Sequence, residues 1–253
     1  MPIVAVLART TLLEAVRNRL LWLTVILVAA AFGFTQFLNQ VAITETREIQ
    51  AALLAAPLRV AAVFILAAFV ITSVVRESSD KVTDLLLSLP APRSHYFFGK
   101  LAGFAFVAAI LALLCALPLA PFARPSGLAL WTASLLCELL IVTAISLFCV
   151  LSLAQVVPAF AAVAGFYLLS RSMTAMQVIA GASLHDPTLT DRIVAAIVGL
   201  IALLLPSLDR MTQTSWLLGG AFSGVLVSVF GQTAIYLVLI GSAALFDLYR
   251  KNF

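Results

Sequence analysis

The side chains best able to do chemistry in this chain fall in two places. The first is a compact charged stretch, Arg76 to Lys100, which reads Arg-Glu-Ser-Ser-Asp-Lys-Val-Thr-Asp-Leu-Leu-Leu-Ser-Leu-Pro-Ala-Pro-Arg-Ser-His-Tyr-Phe-Phe-Gly-Lys. As a helix over Ser79 to Leu89, it would set Val82, Leu85, Leu86 and Leu89 at i, i+3, i+4, i+7 on one face, with Glu77, Lys81, Asp84 and Ser88 along another. Pro90 would end it. An apolar stripe edged by charges can seat itself in a groove of a partner. The same pattern also suits a solvated connector whose charges keep it in water, and periodicity alone does not separate the two. The second place is Glu138 and Arg171, two ionisable residues within apolar runs, where each costs about 2.5–3.5 kcal/mol on insertion scales and so needs a partner or a task.

The elements that must position these groups are membrane-spanning helices. Of the 253 residues, 63% are hydrophobic and only 10% charged. The apolar residues come in runs near the ~20 residues that a spanning helix needs. Six such runs are expected to cross: Leu20 to Phe37, Leu58 to Val75, Phe98 to Ala120, Leu128 to Leu153, Val157 to Ala180 and Gly224 to Phe246. A seventh, Ile193 to Leu205, is too short to cross and reads as a re-entrant or interfacial helix within an outer loop spanning residues 181–220. The fold class is therefore an all-α integral membrane protein with a single domain over residues 1–253. Six spans place both termini on one side. With the termini inside, Arg9, Arg17, Arg19, Arg76, Lys81, Arg93, Lys100, Arg250 and Lys251 lie in short cytoplasmic segments. Arg47, Arg59, Arg124, Arg192 and Arg210 are left outside, mixed with acidic residues, as the positive-inside rule favours. The net charge of +4 then reflects topology and gives no reason to expect nucleic-acid binding.

Register along the fourth and fifth spans bears on the buried pair. A tight inner turn near Ala154 to Val157 makes the two spans antiparallel, and Glu138 and Arg171 each stand some sixteen positions from it. They should meet at one depth, where an ion pair would offset much of each desolvation cost. Three roles stay open: a packing pair, an Arg171 that snorkels outward, or a polar station on a transport path.

Residues 2–19 have helical patterning of their own, with Leu12, Leu13, Val16 and Leu20 on one face and Thr10, Thr11, Glu14, Arg17 and Asn18 on another. This suits a helix lying flat on the inner surface before the first span. It is also too long for the basic region of a signal peptide, despite Ala29-Ala30-Ala31 after the apolar run. Cys115, Cys137 and Cys149 lack Cys-x-x-Cys spacing and read as small buried hydrophobes. His95 and His185 fall on opposite sides of the membrane in this topology, so no metal site is expected. Gly103, Gly165 and Gly241 are expected to permit close helix contacts. The outer loop, with His185-Asp186-Pro187 and an interfacial Trp216, reads as a cap.

Set side by side, the surface helix, six spans and charged inner loop resemble the ABC type-2 permeases, the membrane subunits of ABC exporters, and among them the permeases associated with multi-copper enzyme maturation. Arg76-Glu77, Leu85-Leu86-Leu87-Ser88-Leu89-Pro90, Arg93 and Gly99-Lys100 match that family's inner loop, while Lys81-Val82 replaces its Gly-Thr pair. The resemblance covers the whole chain in topology and this loop in detail. It implies that residues 2–19 form an elbow helix and that the 76–97 loop carries a coupling helix against an ATP-binding subunit. The polar contacts there would be Glu77, Asp80, Lys81, Asp84 and Arg93, and the apolar seat Leu85, Leu86 and Leu89. The chain carries no Gly-x-x-x-x-Gly-Lys-Ser/Thr phosphate loop. ATP and Mg would therefore bind on the separate subunit, and this chain is expected to have no catalytic residues, no cofactor and no enzyme activity of its own. The expected partners are that ATPase, a second permease copy or sister permease, the lipid bilayer and a periplasmic protein, in a bacterial inner membrane. The alternative to export is a non-transporting anchor or mechanical transmitter that links a cytoplasmic ATPase to a periplasmic partner.

Overall fold

A computed structural model describes residues 3–17, 20–41, 47–80, 93–181, 189–211 and 222–250. Among these residues the fold is all helical. In chain order the helices are α1 (Ile3–Arg17), α2 (Leu20–Val41), α3 (Arg47–Ser79), α4 (Arg93–Ala116), α5 (Pro125–Leu153), α6 (Val156–Gly181), α7 (Leu189–Leu204), the single turn α8 (Leu208–Met211) and α9 (Phe222–Arg250), with a 3-10 turn at Leu117–Leu119. Five of them, within α3, α4, α5, α6 and α9, are long and apolar enough to cross a membrane. A sixth crossing is reached when Ala5–Arg17 and Trp22–Phe34, whose axes differ by 55°, are counted as one bent pair. The chain is thus a multi-pass helical membrane protein. The six-span count, by contrast, depends on that pair.

α5 is the axis of the bundle. It is apolar on every side, as a helix surrounded by protein must be, and it packs against α3, α4, α6, α8 and α9. Pro125 opens it at a first-turn position where the missing N–H costs nothing. At its other end Ala154 takes a left-handed conformation (φ 53°) and donates its N–H to the Val150 carbonyl. α6 starts two residues later, which is the tight antiparallel turn expected from the sequence. Large apolar side chains stay exposed on α2, α6 and α9, among them Trp22, Ile26, Leu168, Ile179, Val238 and Phe246. An apolar belt of that extent needs lipid or partner helices against it.

One element differs from the sequence expectation, and a second adds to it. α3 begins at Arg47, eleven residues before the apolar run expected at Leu58, and carries Pro57 inside it. The extension moves Arg59 from an outer loop into the bundle. α1 adds a packing face that the sequence reading did not name. Its buried stripe is Leu7, Thr11 and Ala15, while Leu13 and Val16 of the apolar face stay exposed, as a face laid against lipid would. Gly103 on α4 explains this orientation, because a Cβ there would lie 2.7 Å from Thr11 Cβ and 3.1 Å from Ala8 Cα. The small residues of α1, not its large ones, make the close approach. Gly165 has nothing within 4 Å of such a Cβ and Gly241 only an ordinary 3.7 Å contact to Phe97, so of the three glycines only Gly103 serves close packing. α7 is a short apolar helix of 16 residues, below crossing length, in line with the sequence reading.

Candidate functional site

Arg59 is held by a ladder on α5. Trp131, Ser134 and Glu138 stand at i, i+3, i+7, one face of that helix. The Arg59 guanidinium donates through Nη1 to Glu138 Oε2 at 2.9 Å and through Nη2 to Ser134 Oγ at 3.0 Å. Its carbon lies 5.0 Å from the centroid of the Trp131 ring, a cation–π stack. Ser134 passes its own proton to the Trp131 carbonyl at 2.8 Å, so its oxygen is free to accept from Arg59. The Arg59 and Glu138 side chains are 2% and 1% exposed. A pair so deeply buried is favourable only when further hydrogen bonds support it, and Ser134 supplies one here.

Arg171 reaches the other oxygen of the same carboxylate, Nη1 to Oε1 at 3.5 Å, with its side chain 28% exposed. The pairing of Glu138 and Arg171 expected from their equal distance to the Ala154 turn is therefore present. It is the weaker half of a three-residue cluster in which Arg59 is the principal partner. Sequence reasoning missed Arg59 by assigning it to the outer loop. The signal was there, in a stripe of Trp, Ser and Glu on one face of a long apolar helix. Tyr167 on α6 completes the surroundings: it lies in electrostatic range of Glu138, Arg171 and Arg59 and packs edge-on against Phe64, ring centroids 5.8 Å apart.

A second polar cluster marks the loop face, the end of the bundle from which α3 leaves and α4 returns. Lys100, 1% exposed, is paired with Glu77, whose side chain is 20% exposed. Tyr96 adds a long hydrogen bond, its hydroxyl 3.5 Å from Glu77 Oε2, and the Lys100 ammonium sits 5.6 Å from the Phe104 ring centroid. One turn up α3, Ser73 donates to Glu14 of α1 at 2.7 Å. On the same face Ser152 donates to Asp247 at 2.8 Å, tying α5 to α9. Glu77, named from the sequence as a contact to a partner, is thus engaged within the chain by Lys100. Asp80 is exposed in the turn just past α3, its N–H bonded to the Arg76 carbonyl. Lys81, Asp84, Leu85, Leu86 and Leu89 lie outside the described residues, as does the rest of the expected coupling helix after Asp80. Arg93 is described only as the first residue of α4.

A concavity beside α5 offers no chemistry. It is an open groove of about 600 Å³ between α4 and α5, lined by residues such as Ala109, Ala112, Ala129 and Leu136. Its one hydroxyl, on Thr132, is spent on the Leu128 carbonyl at 2.7 Å. Among the described residues, no three His, Cys, Asp or Glu side chains converge as a metal site would require. No protein-family model and no curated protein matches this chain.

Proposed function

We propose that this chain is the permease subunit of an ABC transporter working in export. In this reading it crosses a bacterial inner membrane six times with both termini in the cytoplasm, and pairs with a second copy or a sister permease. A separate subunit that binds ATP and Mg supplies the energy, entering through the loop between α3 and α4. The observation that carries the reading is the Glu77–Lys100 clamp. It ties the last turn of α3 to the second turn of α4 at the root of the connecting segment, so a force applied to residues 81–92 reaches two spanning helices together. α1, joined to α3 through Glu14 and Ser73, takes the place of the elbow helix beside them. The sequence resemblance of the loop supplies the nature of the partner.

The test is co-purification in mild detergent with the ATP-binding protein encoded beside this chain. A groove contact draws most of its energy from a central apolar anchor and little from rim charges. Leu86→Asp is therefore expected to abolish capture and ATP-driven transport, whereas Asp84→Ala weakens them slightly. Equal transport by the two variants at equal membrane abundance would overturn the docking role of the loop. Failure of the folded, unaltered chain to capture any ATPase would overturn the transporter reading itself.

A further inference from the structure

Tyr167, Ser170, Arg171 and Thr174 stand at i, i+3, i+4, i+7, one stripe of α6. The hydroxyls of Ser170 and Thr174 are buried and have no hydrogen-bond partner among the described residues, and that of Tyr167 lies beside Glu138 without a well-formed hydrogen bond to it. This departs from the habit of the neighbouring helices. Thr72, Thr132, Thr143 and Thr233 each give their hydroxyl to a carbonyl one turn back, at 2.7 to 2.8 Å, as such residues do in an apolar helix. Beside Arg59, the indole N–H of Trp131 also lacks an acceptor. A buried donor left unmade costs about 1–3 kcal/mol, and these lie on the α6 stripe that carries Arg171 and beside the Arg59–Trp131 stack. Glu138 has one oxygen engaged by Arg59 and the other by Arg171. Asp209, on the turn α8 packed against α6, has an unpartnered oxygen of its own but lies beyond hydrogen-bond reach of these hydroxyls.

The cluster is therefore rich in donors and short of acceptors. We infer that the α6 stripe, together with Arg171, forms an intramembrane binding site for an oxyanion, a carboxylate or phosphate group, which enters past the partly exposed Arg171 side chain. A group with several acceptor oxygens would take the Tyr167, Ser170 and Thr174 protons in charge-assisted hydrogen bonds, roughly twice as strong as neutral ones. The two guanidiniums set the sign of the local field. The inference stands on this cluster alone and holds whichever ATPase serves the chain.

Ser170→Cys and Thr174→Cys, each reconstituted in phosphatidylcholine nanodiscs, test it. Each is treated with an anionic sulfonatoethyl and a cationic trimethylammonioethyl methanethiosulfonate. The unaltered protein, whose three cysteines are buried, and Leu168→Cys, on the exposed side of α6 at similar depth, are the controls. The expected result is modification of both variants at least about tenfold faster by the anionic reagent, the low end of the ~10–10³-fold enrichment that a focused field gives. Slowing by inorganic phosphate would identify a soluble oxyanion as the ligand. Slowing only when phosphatidylglycerol replaces phosphatidylcholine would identify a lipid headgroup. Equal rates with the two reagents would overturn the proposal in favour of a plain water-filled crevice, and inertness of both cysteines would overturn it in favour of dry packing. Anion preference that neither phosphate nor phosphatidylglycerol slows would likewise overturn binding. Cysteine is nearly isosteric with serine, so Ser170→Cys keeps the test open should Thr174→Cys fail to fold.

Discussion

Removal of Glu138 separates the two arginines that share it. In Glu138→Leu, Arg59 keeps only Ser134 and the Trp131 ring, at 2% side-chain exposure, and an uncompensated buried charge of this kind costs about 3–5 kcal/mol. Arg171, 28% exposed and 3.5 Å from the carboxylate, is the more loosely held of the two and can snorkel toward the interface, so it loses less. The second-site variants should therefore differ sharply. Glu138→Leu with Arg59→Met replaces the buried pair by apolar groups of similar volume and should recover to within about 1 kcal/mol of the unaltered protein, or exceed it. Glu138→Leu with Arg171→Met leaves Arg59 stranded and should stay as unstable as the single variant. Thermal unfolding in detergent, followed by the fluorescence of Trp131 among others, would read the difference. At ~2–4 °C per kcal/mol for a chain of this size, the single variant should melt roughly 6–20 °C lower. Recovery with Arg171→Met and none with Arg59→Met would refute the ranking of the two partners and the burial argument beneath it.

Two further perturbations separate mechanisms cleanly. Gly103→Ala should lower stability by about 1–3 kcal/mol, because its Cβ would meet Thr11 Cβ at 2.7 Å and the Ala8 backbone at 3.1 Å. Gly165→Ala, with open space around it, should stabilise its helix by up to about 1 kcal/mol, and melting of the two variants side by side would check both. At the loop face the cost of breaking the clamp depends on which partner survives. Glu77→Ala strands the fully buried Lys100 and should cost about 3–5 kcal/mol, whereas Lys100→Met leaves Glu77, already 20% exposed, to water at about 1 kcal/mol or less. Equal losses would mean that Lys100 finds another counter-charge.

Five of the spans were readable because their lengths and apolar runs admit few alternatives, and the Glu138–Arg171 meeting was readable because a tight turn converts sequence distance into depth. Arg59 was not, for a reason rooted in the same rules. It stands at the edge of an apolar run, where the rules for charge place a residue in a loop, and Pro57 just before it reads as a helix start. The helix nevertheless continues back to Arg47, because the ladder on α5 gives Arg59 partners that a composition window does not count. α1 carries a contact that the sequence reading did not name. Its large apolar residues suggested a face for the membrane surface and said nothing of α4, whose close approach is set by where two backbones can touch, and Gly103 opposite Ala8 and Thr11 decides that. Glu77 could be named from the sequence as important while its partner could not, since Lys100 lies beyond a segment whose length says nothing of how its ends meet.

α3 joins the two polar clusters. Arg59 and Glu77 are eighteen residues apart on it, about 27 Å along an unbroken helix. The face between them, including Val63, Leu66, Val70 and Val74, is buried to within 3%, and helices packed so closely move as rods and do not bend locally. If ATPase closure acts on the loop, the displacement therefore arrives at the Arg59–Glu138 pair undiminished, and a pair with three directional contacts on α5 resists sliding along it. Spatial continuity alone does not demonstrate coupling, but a double-mutant cycle does. For stability, Glu77→Gln and Arg59→Lys are far enough apart to add within about 0.3–0.5 kcal/mol. For ATP-driven transport the strut predicts non-additivity: once either end is loosened, loosening the other should cost little more. Strict additivity in both measurements would show that the two clusters act independently and that α3 is scaffold alone.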